Sequence, residues 1–270
     1  DTALFLNHDP TTLPRLVFGG GTNVKAIDNI GAGSRFNGVG FSGFNLPGGS
    51  FANGVLQCRS AAHIGGDNLD FVDCGADCIQ HCAGGTWTRI RGLRTGALFR
   101  NSDGITCKRF WVRAATGIQY GVHLGGTATT SAFYLGAVYL PGLNSTDIAI
   151  NAGPLCPIVG CSTKRASGSG ASAWLGTVSY CTQTGFAGSL AGGSVDGGNN
   201  QARDPLFVDP AAGDFHWQSG ALEFTSGVAV AGVTEDLDGF PMPLSGGWAR
   251  GPYSADFTGP EVTSLVALGL

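Results

Sequence analysis

The sequence has little charge. Only 13% of its 270 residues are Asp, Glu, Lys or Arg, about half the usual share of ~25% in soluble domains. The 15 Lys and Arg residues form no block and the net charge is −4, so nothing points to a nucleic-acid partner. A surface with so few charges favours partial coverage by partner chains.

Long apolar runs and a starting methionine are also missing. No run approaches the ~20 apolar residues of a membrane span, and SLVALGL at the C-terminal end is too short for one. The first residue is Asp1, and no signal sequence follows it. We therefore expect a processed chain or a segment of a longer one.

Several catalytic signatures are absent. We find no GxSxG elbow, P-loop or HExxH motif, which argues against the commonest serine hydrolases, nucleotide-binding proteins and zinc proteases. Glycine-rich stretches such as GGGTN (19–23) and AGGTW (83–87) are followed by no helical pattern, so they indicate turns rather than phosphate-binding loops. Together with 46 glycines and short apolar runs, this predicts short strands joined by tight turns.

Cysteine, in contrast, is frequent and regularly spaced. Cys58, Cys82 and Cys107 follow one another at an almost constant interval, and Cys156 and Cys181 repeat that interval. Ser131, a near isostere, stands midway in the remaining gap. The spacing predicts a core ladder that recurs once per structural repeat, formed by Cys58, Cys82, Cys107, Ser131, Cys156 and Cys181.

A repeat of this length indicates a solenoid. The fold class we predict is all-β: a right-handed parallel β-helix with about 24–25 residues per rung, covering residues 1–200. Each rung would contain three short strands and stack on the next at ~4.8 Å. A small apolar side chain such as cysteine suits an inward column in that stack.

The C-terminal third resembles a known family. DPLFVDPAAGDF (204–215) and DLDGFP (236–241) resemble the closing segment of bacterial and phage right-handed parallel β-helix proteins of the pectin-lyase-like class. GALEFTSG (220–227) and GPYSAD (251–256) depart from the family pattern. The resemblance implies the fold, but the class spans lyases, hydrolases, epimerases, adhesins and phage tailspikes, so it implies no single function.

From this resemblance we expect a C-terminal cap over residues 201–258, followed by a tail at 259–270. Prolines cannot donate ladder hydrogen bonds, so those of the cap would help to stop strand stacking. The aromatic residues expected to plug the open end of the core are Phe207, Phe215, Trp217 and Phe224.

An acidic cluster supplies the first candidate catalytic residues. Asp70, Asp73 and Asp77, with Asp67 nearby, are candidates for general acid and base on a glycan. The stretch loosely resembles the polygalacturonase pattern, but Ala76 replaces its second aspartate. The hydrolase roles are therefore not transferred. The alternative is that these residues cap turns, with Asp73 and Asp77 facing outward.

A basic and aromatic cluster supplies the second set. Polysaccharide lyases on this fold use Lys or Arg as the base, which makes Lys108 a catalytic candidate. Solvated strand faces and ordinary packing are the alternatives for this set. The candidate glycan-binding residues are Trp87, Arg89, Arg91, Arg109, Trp111, Arg113, Tyr120 and His123.

The segment DCGADCIQHC (73–82) raises the question of a metal. Its cysteines are spaced CxxxC, whereas zinc sites favour tighter pairs, so we predict no metal. We also predict no cofactor, with Ca²⁺ left open as the ion a lyase would use. A disulfide from Cys74 to Cys78, or from Cys156 to Cys161, is left open.

Two hypotheses follow. The first is an exterior structural or adhesive protein, a tailspike-, fibre- or decoration-like virion component or a cell-surface adhesin, that contacts surface glycans. The alternative is a secreted polysaccharide lyase or glycoside hydrolase. Either places the chain outside the cell or on a virion surface, with a polysaccharide as partner, and the first favours a homotrimer.

Overall fold

A computed structural model describes most of the chain. The described residues are 4–7, 15–18, 33, 35–43, 55–58, 64–75, 77–125, 130–142, 146–166, 172–190, 194–244 and 247–254. Within them the protein is all-β, a parallel β-solenoid of about six turns, as the sequence predicted. The tail 259–270 lies outside the described residues.

The described chain contains short strands and one 3₁₀ turn. In chain order they are β1 Leu4–Asn7, β2 Arg15–Phe18, β3 Arg35–Ser42, β4 Leu56–Gln57, β5 Gly65–Val72, β6 Ile79–Gln80, β7 Thr86–Thr95, β8 Phe99–Arg100, β9 Thr106–Ala114, β10 Tyr120–His123, β11 Ala132–Leu140, β12 Ile148–Asn151, β13 Pro157–Val159, β14 Ser162–Arg165, β15 Ser172–Leu175, β16 Thr177–Ser179, β17 Thr182–Thr184, β18 Gly188–Leu190, β19 Val195–Asp196, β20 Gln201–Ala202, β21 Phe207–Asp209, β22 Asp214–Trp217 and the 3₁₀ turn Leu222–Thr225.

Two sheets run along the solenoid. The long sheet has 13 strands, ordered β1-β2-β3-β5-β7-β9-β11-β13-β16-β19 with β14, β17 and β20 beside them. The second sheet has seven, ordered β18-β15-β12-β10-β8-β6-β4. The solenoid rungs from β2 to β20 pair in parallel, whereas β1–β2 and the β21–β22 hairpin are antiparallel. A strand thus returns to each sheet once per turn.

The core lies between the two sheets. In the second sheet, Ile79 pairs with Phe99, and Val122 with Ile150, which aligns their buried side chains rung upon rung. Phe99 contacts both Trp87 and Phe133 of the long sheet edge to face, at 5.7 and 6.1 Å between ring centroids. Each such buried side chain contributes about 1.5–3 kcal/mol relative to exposure.

The predicted single column of cysteines is wrong. Cys107 pairs with Trp87 on one side and Phe133 on the other, whereas the backbone N–H of Cys82 donates to the Ser102 hydroxyl one rung on. Rung lengths also differ, since the step from β7 to β9 is shorter than the step from β9 to β11. Because insertions fall in the turns, a regular spacing in sequence does not produce regular stacking.

The ladder instead divides into separate parts, and all six of its members are buried. Cys58 and Cys82 are adjacent, with Cα atoms 5.0 Å apart, and form a disulfide. Ser131 and Cys156 are neighbours by the register that pairs Phe133 with Ile158. Cys181 lies instead beside Cys161, whose N–H approaches its Sγ at 3.3 Å.

The C-terminal segment does not plug the end of the core. Phe215 stacks on Trp111, on the outer face of the long sheet, with ring centroids 5.2 Å apart. Phe207 and Trp217 join the same buried cluster, and Phe224 packs against it. The predicted end plug is therefore wrong, because outward apolar side chains of β9 and β11 offer these aromatics a lateral surface. The last described rung extends to Gln201–Ala202, just past the predicted boundary.

Candidate functional site

Three of the predicted acidic residues lie in ion pairs between neighbouring rungs. Asp67 pairs with Arg89, Asp70 with Arg91 at 3.0 Å, and Asp73 with Arg94 at 2.5 Å. These pairs form because strand β7 lies beside β5 in parallel register, which sets each carboxylate near a guanidinium. The geometry is that of charge pairing along a sheet.

The ion pair with Arg89 changes the pKa of the Asp67 carboxyl. Burial raises its pKa, but hydrogen bonds from Arg89 and Thr88 lower it, and the net pKa is lowered. Such a carboxyl stays ionised at neutral pH and is a poor proton donor. Asp70 and Asp73 each face a guanidinium as well, and their acid–base roles stay predictions.

The predicted basic cluster is covered by the chain's own C-terminal segment. Its side chains donate to main-chain carbonyl oxygens there, and these contacts occupy the groups that would meet a glycan. They are Arg91 to Leu237 at 3.2 Å, Lys108 to Ala231 at 2.6 Å, Arg109 to Glu235 at 2.8 Å and Arg113 to Ala211 at 3.0 Å. The structure therefore does not gather Arg91, Arg109 and Arg113 into an open glycan site, and Arg89 is held by Asp67.

The two predicted tryptophan platforms are packed. Trp87 is 1% exposed and lies in the core, and Trp111 is covered by Phe215. A stacking platform needs an open ring face. These rings have none, so neither presents a sugar-binding surface.

Asp77 is buried, contrary to the expectation that it faces outward. It is 1% exposed. Its carboxylate accepts hydrogen bonds from the N–H of Ala97 at 3.0 Å and from Nε2 of Gln80 at 2.8 Å. Arg100 forms an ion pair with it at 3.5 Å. The carboxylate holds the turn before β6 against the next rung, which explains why it points inward.

Asp77 also lies in a pocket with two of the predicted glycan-binding residues. The pocket measures about 230 Å³ and sits on the second sheet. We call it the Asp77 pocket. It is lined by Asp77, Ala97, Arg100, Ile118, Gln119, Tyr120 and His123.

Tyr120 and His123 form the aromatic side of the Asp77 pocket. Their ring centroids are 4.1 Å apart, with an interplanar angle of 39°. Burial, together with the nearby charge of Arg100, lowers the pKa of His123 to about 4. The imidazole is therefore neutral at pH 7. Burial also raises the pKa of Asp77, although Arg100, Gln80 and the Ala97 N–H oppose the shift.

Arg100 and Gln119 were missed by the sequence reasoning. In the strand register of the second sheet, Arg100 lies opposite Gln80 of the preceding rung and His123 of the following rung. These three polar residues therefore form one column across the sheet. The column cannot be found from the predicted period, because it depends on the actual number of residues in each rung. The step from Gln80 to Arg100 and the step from Arg100 to His123 are unequal, and both are shorter than the predicted period.

A larger groove of about 410 Å³ lies between the long sheet and residues 228–231. Its floor includes Lys108, Tyr134 and Tyr180, and Lys108 donates to the Ala231 carbonyl that forms its wall. The groove is mainly apolar. We favour the smaller pocket as the site, because polar groups converge there and two of its lining residues, Asp77 and His123, have shifted pKa values.

The segment around Cys74 and Cys78 holds no metal-like cluster. Within the part of the chain that the structure describes, no three His, Cys, Asp or Glu side chains are grouped to hold an ion. Cys74, Cys78, Cys156 and Cys161 are thiols, not the disulfides considered above. Burial raises the pKa of Cys78 far above its usual value, which makes it an inert thiol.

The described chain shows no membrane-spanning helix, and the chain as a whole matches no known family. No helix in the described ranges is long and apolar enough to cross a membrane. No family model, no curated protein and no solved structure matches the chain. The fold therefore rests on the strand register alone, and the resemblance of the C-terminal segment remains a prediction.

Proposed function

We propose that this chain is an exterior structural or adhesive β-solenoid protein, of the tailspike, fibre or decoration kind on a virion or an adhesin on a cell, that binds surface glycans without cleaving them. The observation that carries the proposal is the Asp77 pocket. It combines an aromatic pair with hydrogen-bonding groups, but it holds one carboxylate among its described lining residues.

Glycoside hydrolysis normally needs two carboxyl groups about 5–9.5 Å apart. The other aspartates of the cluster pair with arginines on the long sheet rather than lining this pocket. The lysine that a lyase would use as a base donates to a backbone carbonyl. These contacts favour binding over cleavage.

A low charge content supports the assembly part of the proposal. With 13% charged residues, much of the surface is suited to contact with other chains. We expect a homotrimer or a larger assembly, located outside the cell or on a virion.

The test combines binding with product analysis. The purified chain is applied to a panel of bacterial surface polysaccharides, and bound glycan and released reducing or unsaturated ends are measured together. We expect binding without product, and sedimentation as a trimer. Binding to no polysaccharide would contradict the proposal.

The pair of Asp77 and His123 is the observation that favours the alternative, an enzyme acting on polysaccharides. A buried carboxyl with a raised pKa beside a neutral histidine is an arrangement that acid–base catalysis also uses. If product appears, and Asp77→Asn or Lys108→Ala abolishes it while the protein stays folded, the chain is a polysaccharide lyase or glycoside hydrolase.

A further inference from the structure

The acidic and basic groups of the Asp77 pocket form one ion pair. Its one carboxylate, Asp77, and its one guanidinium, Arg100, lie 3.5 Å apart as an ion pair. His123 is uncharged at pH 7, because burial and Arg100 lower its pKa to about 4. The remaining polar lining groups are the phenol of Tyr120 and the amide of Gln119. The lining thus holds one acidic group and one basic group, and the two are paired with each other.

The polar groups of the pocket suit hydroxyls. A neutral imidazole has one donor and one acceptor nitrogen, and a phenol both donates and accepts. The amide nitrogen of Gln119 already donates to Thr146 at 3.1 Å, which leaves its carbonyl oxygen as the end suited to a donor. Hydroxyl groups can serve every one of these partners, because each both donates and accepts.

The apolar part of the pocket suits the C–H face of a sugar ring. Ala97 and Ile118 line it beside the rings of Tyr120 and His123, which lie in contact and are tilted by 39° to each other. A sugar ring has an apolar C–H face and a rim of hydroxyls, so it complements an apolar and aromatic surface surrounded by hydrogen-bonding groups. The volume of about 230 Å³ lies below the range of about 300–1,000 Å³ for drug-sized ligands, which favours one ring over a longer segment.

We infer that the Asp77 pocket binds a single neutral, hydroxyl-rich sugar ring, at the end or branch of a glycan, and discriminates against acidic sugars. The inference rests on the proposed function, since it specifies the sugar that the exterior protein contacts. It assigns Tyr120 and His123 to the sugar face and Asp77 and Arg100 to the hydroxyl rim.

The discrimination follows from the ion pair. An acidic sugar would bring a second carboxylate close to Asp77, and the charge of Arg100 is already balanced by that residue. Like charges placed together disfavour the wrong partner. A neutral ring meets no such repulsion.

The test uses the full chain with two matched panels of trisaccharides, one of neutral hexoses and one of the corresponding uronic acids. Calorimetry or ligand-observed NMR at pH 7 measures binding. We expect neutral members to bind, and Tyr120→Ala to weaken that binding about tenfold. Tyr180→Ala, in the larger groove, is the control and should leave binding unchanged. Thermal unfolding checks that both variants fold.

A pH series sharpens the result. As the pH falls toward about 4, His123 gains a proton and the pocket loses an acceptor. Asp77 lines the same pocket, and because burial raises its pKa it gains a proton at a higher pH than an exposed aspartate would, so both changes make the pocket more positive. Neutral sugars should then bind more weakly, whereas acidic sugars would bind more strongly if they were the true ligands.

The outcomes separate the two proposals. Preference for the uronic acids, or neutral binding that Tyr120→Ala does not change, overturns the inference and leaves glycan binding standing. Binding to neither the trisaccharides nor the polysaccharide panel contradicts the proposed function, and this inference with it.

Discussion

Charged side chains have different surroundings on the two sheets. On the long sheet, carboxylates and guanidiniums pair between rungs, and the C-terminal segment covers the basic residues of β9. On the second sheet, the ion pair between the buried Asp77 and the partly exposed Arg100 lines a pocket beside two aromatic rings. A row of charged residues therefore forms a candidate site only where the fold leaves a cavity beside it.

The largest expected effect concerns the cover on the long sheet. Phe215 is fully buried against Trp111, so Phe215→Ala should lower the free energy of unfolding by about 3–5 kcal/mol. Leu222→Ala is the control, because Leu222 is 65% exposed and surface changes cost at most ~0.5 kcal/mol. Urea denaturation measures both. Equal effects would show that the segment does not pack on the sheet.

A smaller effect separates two aspartates of the same turn. Asp77→Ala leaves the Ala97 N–H and Gln80 without their buried acceptor, and should cost about 1–3 kcal/mol. Asp73→Ala removes an ion pair whose side chains are both almost half exposed, and should cost ~0–1 kcal/mol. Similar losses in urea denaturation would mean that Asp77 faces solvent as Asp73 does.

The smallest expected effect is a difference in pKa between His216, in the covering segment, and His123, in the Asp77 pocket. His216, in the covering segment, bonds to Asp238 at 2.9 Å and Asp214 at 2.7 Å. The Asp238 hydrogen bond is the main cause of its raised pKa, with Asp214 adding to it and burial opposing. The pKa of His123 is lowered to about 4.

The two histidines therefore change stability in opposite directions. The contribution of His216 is fully present below pH 6.5, its ordinary pKa, and is lost as pH rises through the raised folded value. The contribution of His123 is present above pH 6.5 and is lost as pH falls from there toward about 4. NMR titration of the ring protons, assigned with His216→Gln and His123→Gln, measures both. If both histidines titrated with the same midpoint near pH 6.5, the predicted difference between their pKa values would be wrong.

The sequence predicted the architecture better than the site. The glycine-rich, helix-poor pattern and the regular spacing of the cysteines predicted a parallel solenoid, because stacked rungs need short strands joined by tight turns. Arg100 and Gln119 were not found, because membership of the pocket depends on which residues meet after turns of unequal length.

The wrong predictions have the same cause. Cys82 and Cys107 are one predicted period apart, yet the rungs from β5 to β9 are shorter than that period, so the two residues end in different columns. Asp77 was placed outward because aspartate is common in turns. Its burial depends on Ala97 and Arg100, which reach it only when the next rung has stacked.

By itself, the sequence determined the all-β solenoid, the buried character of its cysteine column positions and the low surface charge, since these depend on composition and local strand propensity. The tertiary structure decided the rest: which cysteines meet, where the C-terminal aromatics pack, and which charged residues line a pocket. Those outcomes depend on register between rungs and on contacts between distant segments, and a residue's neighbours along the chain do not specify either.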